Sequence, residues 1–281
     1  MWGENFLNPK PSNPGGMVVR VIHSFFSGGR DSALASFIAY RVAKVKGWSF
    51  RLVFIDTTIA IPETVNYVHR YAEWLGVELI VLKPKHSFSE LAPKYSWPLL
   101  WHNRWCYYKL KRNPTIEYLQ HNYRGSDIVV MGIRGSESLF RLVNYDKVFT
   151  LRCYDNICVN AWLPILYLSN IKVMQLIRKF NIPENPVWNK VGISGDCLCL
   201  AGSTEQKLIK IAIHYPDSIK KLIEIDKEIQ VNRKSKEPSY PGPLVKSKVT
   251  LSEWYTRLSK QTTIDDYLTE YNSCQLSCML E

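Results

Sequence analysis

Long apolar runs are missing from this 281-residue chain: none reaches the ~20 residues that a membrane-spanning helix needs. Met1 to Gly16 is rich in Pro, Asn and Gly and has no apolar signal core. We read residues 1–17 as a flexible lead-in and expect a soluble, cytoplasmic protein without a membrane partner. There is no internal repeat and no low-complexity tract. Acidic residues are in short supply, with 25 Asp and Glu against 36 Lys and Arg, a net charge of +11. The shortage is sharpest from Lys83 to Arg124, where Lys83, Lys85, Lys94, Arg104, Lys109, Lys111, Arg112 and Arg124 face only Glu90 and Glu117. Such a segment suits an anionic partner, whether nucleotide, sulfate or nucleic-acid backbone, and it equally suits a solvated basic face. Seven cysteines in a chain read as cytoplasmic argue against a disulfide framework. We expect Cys153 and Cys158, which flank an extended segment, to lie in the core, and His23 to be a satisfied core histidine.

Two common phosphate-binding signatures are absent as well, Gly-x-x-x-x-Gly-Lys-Ser/Thr and Gly-x-Gly-x-x-Gly. What stands instead is Ser27-Gly28-Gly29-Arg30-Asp31-Ser32. An apolar run, Val18 to Phe26, precedes it and reads as a buried strand. Ala33 to Val45 follows, with Leu34, Phe37, Ile38, Val42 and Val45 able to share one helical face. Strand, tight turn and helix start in that order make a phosphate cradle. Glycines let the backbone pass close to an anion, and the N–H groups at the helix N-terminus point at it. Ser27 and Ser32 add hydroxyls, Arg30 can add a cation, and Asp31 or Ser32 can cap the helix.

The pattern then repeats. Arg51 to Ile55 reads as a strand ending at Asp56-Thr57-Thr58. A helix opens at Ile61-Pro62-Glu63-Thr64, and Val77 to Leu82 is another strand. Asp127 to Gly132 is a further strand, and a helix runs from Ser169 to Lys179. Strands alternating with helices predict an α/β fold, a parallel sheet with helices on both faces and ligands at the carboxyl ends of the strands. Residues 84–105 read as an irregular covering loop whose aromatics either stack on a base or simply pack. Beyond Ala201 the pattern turns helical, at Ser203 to Ile213, Asp217 to Val231, Ser252 to Leu258 and Ile264 to Tyr271, around a Pro-rich linker from Arg233 to Lys248. We expect a nucleotide-binding domain over 18–201 and a small helical C-terminal extension over 202–281.

In order and spacing these motifs resemble the phosphoadenosine phosphosulfate (PAPS) reductase family of the PP-loop ATP-pyrophosphatase superfamily. Ser27 to Ser32 is similar to the superfamily's Ser-Gly-Gly-x-Asp-Ser loop, and Asp56-Thr57 with Pro62-Glu63-Thr64 to the family's Asp-Thr and Pro-Glu-Thr stretch. Gly132-Ile133-Arg134 with Glu137-Ser138 and Arg141 resembles its Gly-x-Arg-x-x-Glu-Ser-x-x-Arg. Trp162-Leu163-Pro164-Ile165 through Pro186 and Gly192 to Cys197 resembles its closing segment. The resemblance implies a Rossmann-like domain that binds an adenine nucleotide. Ser27, Gly28, Gly29, Arg30, Asp31 and Ser32 would hold its phosphate or sulfate end. Asp56 would lie near the adenosine or a metal, Arg134 and Arg141 would clamp anionic oxygens, and Glu137 would orient an arginine. Apart from the family, Arg134, Glu137 and Arg141 also read as an ion-pair cluster on one turn.

The chain departs from the family's reductases in its loop, its tail and its cysteines. Its Gly-Gly loop is intact, whereas those reductases usually degrade it, which points toward ATP, with Mg²⁺ if ATP is cleaved. It lacks the reductases' Glu-Cys-Gly-Leu-His tail, leaving Cys274 and Cys278 as candidate nucleophiles. Cys106, Cys197 and Cys199 stand where some members place [4Fe-4S] ligands, either as cluster or metal ligands or as a remnant. The leading expectation is an enzyme of sulfur chemistry acting on ATP or an adenylyl sulfate, with a thiol reductant or a second copy of the chain as possible partners. The alternatives are ATP-dependent thiolation of tRNA or DNA with an iron–sulfur cluster, and a nucleotide-binding module without catalysis.

Overall fold

The computed structural model describes residues 21–137, 139–232 and 238–261. The lead-in 1–17, Ser138, the helix expected at Ile264 to Tyr271, and Cys274 and Cys278 lie outside them. The described residues fall into two compact units, one of 21–86 with 107–198 and the other of 87–106 with 199–261.

The first unit is an α/β layer structure around a sheet of six strands: β1 (Val21–Phe25), β2 (Ser49–Ile55), β3 (Glu78–Leu82), β4 (Ile128–Met131), β5 (Phe149–Tyr154) and β6 (Ile157–Trp162). Their order across the sheet is β3-β2-β1-β4-β6-β5. Every neighbouring pair is parallel except the β5–β6 hairpin. Between them run α1 (Arg30–Lys46), α2 (Pro62–Leu75), then α4 (Asn113–Asn122), α5 (Leu139–Asn144), α6 (Asn170–Lys179) and α7 (Pro186–Val191), with α3 (Phe88–Tyr95) in the second unit. The expected α/β class holds.

Alternation along β1 sends side chains to opposite faces of the sheet. Ile22 and Phe26 join a core built from α1, α2 and α6, in which Phe26 stacks on Tyr71 at 4.5 Å. Ser24 on that face bonds Ser36 of α1, at 2.8 Å. Phe25 faces the other way, into a smaller core with Tyr118, Leu119 and Val129 beneath α4. His23 is fully buried on that side, 2.7 Å from the Tyr118 hydroxyl and 3.4 Å from an Asp127 carboxylate oxygen. Burial lowers its pKa against the opposing pull of Asp127. It is the satisfied core histidine the sequence suggested.

Before α4, residues Tyr107–Arg112 form a π-helical turn. Pro114 has no N–H to offer, and its ring crowds the carbonyl four residues back, so the preceding turn widens.

The cysteine expectation fails for one pair. Cys153 and Cys158 are register partners across the β5–β6 hairpin, joined by a disulfide and exposed rather than in the core. Cys153 lies on the edge strand β5, three strands from β1, and Cys158 on its neighbour β6.

The second unit comprises α3, α8 (Glu205–His214), α9 (Pro216–Asn232) and α10 (Leu251–Gln261). The expected C-terminal extension therefore does not stand alone, because residues 87–106 belong to it. That stretch is no loop at its start. Ser87 and Glu90 form a reciprocal capping box that opens α3. Buried Asp226 of α9 ties the unit together. It accepts bonds from the Trp97 indole N–H at 2.8 Å, from Gln230 at 2.9 Å, and from the Ser252 N–H at 3.1 Å.

Candidate nucleotide site

β1 and β4 are sheet neighbours, yet the chain leaves them in opposite directions: from β1 toward β2 and β3, from β4 toward β6. A crevice opens at the carboxyl ends of strands where the order reverses in this way. The Ser27–Ser32 loop leaves the end of β1, and Gly132-Ile133-Arg134 leaves the end of β4.

The loop turns at Gly28, whose φ of +75° lies in the left-handed region that side chains with a Cβ avoid. A Cβ there would also meet the Thr64 methyl at 2.9 Å. Gly29 is the N-cap of α1, and no side chain caps it. The first amides of a helix have no intrahelical acceptor, so this end offers N–H groups and the positive end of a 17-residue helix dipole to an anion. The hydroxyls of Ser27 and Ser32 stand 3.2 Å apart at the same turn, and that of Ser32 donates to the Gly29 carbonyl at 2.9 Å. Asp31 and Ser32 therefore do not cap α1.

Gly132 allows the two strand ends to close. A Cβ on it would lie 2.6 Å from both Cα and N of Ser32, backbone atoms that cannot step aside. Two residues on, buried Arg134 brings its Nε within 2.8 Å of an Asp31 carboxylate oxygen, although the N–H is not aimed along the line of a hydrogen bond. Glu137 lies 3.5 Å from Arg134 and ion-pairs with Arg141. Asp31, Arg134, Glu137 and Arg141 thus form one ion-pair chain that reaches the loop and is partly buried, not a cluster confined to the surface.

Arg30 points elsewhere than a phosphate clamp would. Its Nε donates to Glu184 at 2.8 Å, its Nη2 donates to Asn189 at 3.0 Å, and its guanidinium lies 5.1 Å from the Trp188 ring centre. Asp56, at the end of β2, accepts the Thr58 N–H at 2.9 Å and so fixes the turn that follows.

Several residues with no role assigned from the sequence surround the loop. Asn185 is buried, N-caps α7 through Val187 at 3.0 Å, and donates from Nδ2 to the carbonyls of Gly28 and Ser194, at 3.0 and 2.8 Å. Thr64 donates to the Ser194 carbonyl at 2.7 Å. Asp196 accepts from Lys111 Nζ at 2.5 Å and from the Ser194 hydroxyl, and its carbonyl accepts from Thr57 at 2.6 Å. Burial works against the charge on Asp196, but Lys111 and Ser194 outweigh it and hold the carboxyl below the ordinary range. Thr64 and Asp196 lie within the Pro62-Glu63-Thr64 and Gly192 to Cys197 motifs, whereas the Asn185-Pro186 pair and a lysine three residues before Pro114 were the local signals for Asn185 and Lys111.

Of the candidate thiolates, Cys106 is buried while Cys197 and Cys199 are half-buried. Among the described residues no three His, Cys, Asp or Glu side chains form a group that could hold a metal ion. No described helix is long and apolar enough to cross a membrane.

Residues 21–199 match the phosphoadenosine phosphosulfate reductase domain. Two uncharacterized proteins of Methanocaldococcus jannaschii are similar to the chain. One is 27% identical over 68% of this chain and 38% of its own length; the other is 24% identical over 73% and 47%. The chain thus spans less than half the length of these curated relatives. Among solved structures, a PAPS reductase of Candida auris in complex with phosphate is 19% identical, covering 60% of this chain and 76% of that one, with a TM-score of 0.46. A tRNA thiolase of Methanococcus maripaludis with its [4Fe-4S] cluster is 13% identical, covering 87% and 74%, with a TM-score of 0.46. With a match that takes in the loop at the end of β1, the Gly132–Arg134 turn and the Asn185–Asp196 segment, the chain belongs to the phosphoadenosine phosphosulfate reductase domain family.

Proposed function

We propose that this chain is an enzyme of its family that binds ATP through the Ser27–Ser32 loop, cleaves it between the α- and β-phosphates, and works in sulfur chemistry. The observation that carries this is the intact Gly28-Gly29 turn over an uncapped α1 N-terminus, held at the switch point of the sheet. Such a cradle suits a pyrophosphate end and is more than a single sulfate needs.

A nucleophile attacks the α-phosphorus and pyrophosphate departs. The N–H groups at the start of α1 and the hydroxyls of Ser27 and Ser32 take up the charge that develops on the leaving group. Arg30 contributes only from the flank, because Glu184 and Asn189 hold it there. Mg²⁺ would supply further neutralisation of phosphate charge. Such an ion is usually carried by phosphates and water with one or two carboxylates, a demand that Asp56 at the end of β2 can meet without an all-protein cage. Cys106, Cys197 and Cys199 give no metal-holding group among the described residues, and no step is routed through a cluster.

The test is to supply the full chain with ATP labelled in its γ-phosphate and, separately, with adenylyl sulfate plus a dithiol. Pyrophosphate release from ATP is the expected result. Sulfite release from adenylyl sulfate, with ATP untouched, replaces this reading with a reductase. Tight nucleotide binding with no turnover replaces it with a binding module. Iron and sulfide in anaerobically purified protein, with tRNA or DNA binding that weakens steeply with salt, would point to nucleic-acid thiolation.

A further inference from the structure

We propose that Cys153 and Cys158 form a thiol–disulfide exchange site, opened by a soluble dithiol and closed again by oxidation, at the tip of the β5–β6 hairpin. The two residues are direct register partners with their Cα atoms 4.0 Å apart. Only Tyr154 and Ile157, paired across the hairpin, and the turn residues Asp155 and Asn156 separate them. Both cysteines are exposed, and β5 is the edge strand, so a partner thiol can approach from the open side. Among the described cysteines they are also the most accessible, since Cys106 is buried and Cys197 and Cys199 are half-buried.

A role as a structural staple explains this pair poorly. Cross-linking residues only five apart in sequence constrains the unfolded chain far less than closing a long loop does. The tip is anchored without the bond. Arg112 donates to both carboxylate oxygens of Asp155, at 3.0 and 2.6 Å, and Gln120 donates to Asn156 at 2.8 Å. A disulfide that the fold does not need, placed in solvent, belongs to the labile class rather than the resistant one.

The exchange balances as follows. A thiolate of the dithiol attacks the sulfur of one cysteine, the Cys153–Cys158 bond breaks, and the departing sulfur takes a proton from water. The second thiol of the partner then attacks the mixed disulfide and releases the other cysteine, which is protonated in turn. Two electrons and two protons pass to the pair, and the dithiol leaves as a disulfide.

The structure also ties this tip to the candidate site. Asp155 grips Arg112, and the neighbouring Lys111 holds Asp196. Because the Arg112–Asp155 bonds do not depend on the disulfide, opening the pair is expected to leave the Tyr107–Arg112 turn in place.

The full chain, oxidised with diamide, is treated under native conditions with dithiothreitol, alkylated, and mapped by peptide mass spectrometry. Cys153 and Cys158 are expected to be protected before reduction and alkylated after it, with deuterium uptake over residues 107–112 unchanged in the reduced form. In the Cys153→Ala variant, oxidised glutathione is expected to form a mixed disulfide on Cys158, with the fold checked by circular dichroism. Full alkylation of both cysteines in the oxidised protein would overturn the proposal. So would a bond that opens only in denaturant, or a Cys158 that glutathione never reaches. Faster deuterium uptake over 107–112 in the reduced form would overturn the reading that the tip is held without the bond.

Discussion

The side-chain nitrogen of Asn185 stands 3.0 Å from the carbonyl oxygen of Gly28, joining positions 157 residues apart. The same nitrogen reaches the Ser194 carbonyl and lies 3.2 Å from the Thr64 hydroxyl, so one buried amide ties the Gly28 turn, the start of α2 and the loop before Cys197. A turn at φ +75° has few ways to hold its geometry, and here it is held from behind.

Removing that amide exposes several acceptors at once. Asn185→Ala is expected to cost ~3 kcal/mol, because the buried carbonyls lose their donor. It is also expected to weaken ATP binding roughly tenfold, equivalent to ~1.4 kcal/mol. Urea unfolding and calorimetric titration check the two effects. Asn185→Asp keeps the shape but sets a carboxylate against carbonyl oxygens, and is expected to be the less stable of the two.

Gly132→Ala tests the closure of β4 on α1. The added methyl would meet the Ser32 backbone at 2.6 Å, where neither strand end nor helix can retreat without shifting the loop. We expect a loss of about 2–3 kcal/mol from overpacking, together with weaker nucleotide binding. A variant of unchanged stability in urea unfolding would show that the two elements are less closely packed than described.

Contiguous features of the site were legible in the sequence, and features made by distant residues were not. Strand, Gly28-Gly29 and helix α1 are neighbours along the chain, so residue types and hydrophobic spacing sufficed. The bonds of Asn185, Thr64, Lys111 and Asp196 form only when β1, α2, the Tyr107–Arg112 turn and the segments flanking α7 are brought together, and composition does not encode that. Arg30 reads from the sequence as a cation for an anion, and only the fold shows that Glu184 and Asn189, far along the chain, are its partners. α3 was missed although its signal was present, since Ser87 and Glu90 are spaced for a capping box but sit among prolines and aromatics. The disulfide was missed because a hairpin register, not cysteine spacing, sets Cys153 opposite Cys158.

His23 makes stability depend on pH. Burial holds its folded pKa below the ordinary 6.5, so the unfolded chain takes up a proton that the folded chain refuses. Stability is therefore whole above about pH 6.5 and falls as pH drops toward the folded value, by at most ~1.4 kcal/mol per pH unit for one proton. Urea unfolding across that window is expected to show this slope in the native protein. His23→Gln should lose that component of the slope while starting lower at neutral pH, because Tyr118 and Asp127 lose their partner.

Lys111 and Asp196 carry the same sign as His23, but in the pH range of a carboxylate. The Asp196 carboxyl is held below its ordinary value, so its contribution is present at neutral pH and disappears as pH falls through the folded value. Lys111→Met leaves a mostly buried carboxylate without its cation and is expected to cost ~3 kcal/mol near neutrality. Burial alone would then raise the Asp196 pKa, so protonation would relieve the strain and the gap to the native protein should narrow as pH falls. The double variant Lys111→Met with Asp196→Asn removes both charges and should recover part of the loss at neutral pH, with little pH dependence left at this pair. If Lys111→Met instead keeps native stability but loses ATP affinity in calorimetric titration, the lysine serves the nucleotide and not the loop.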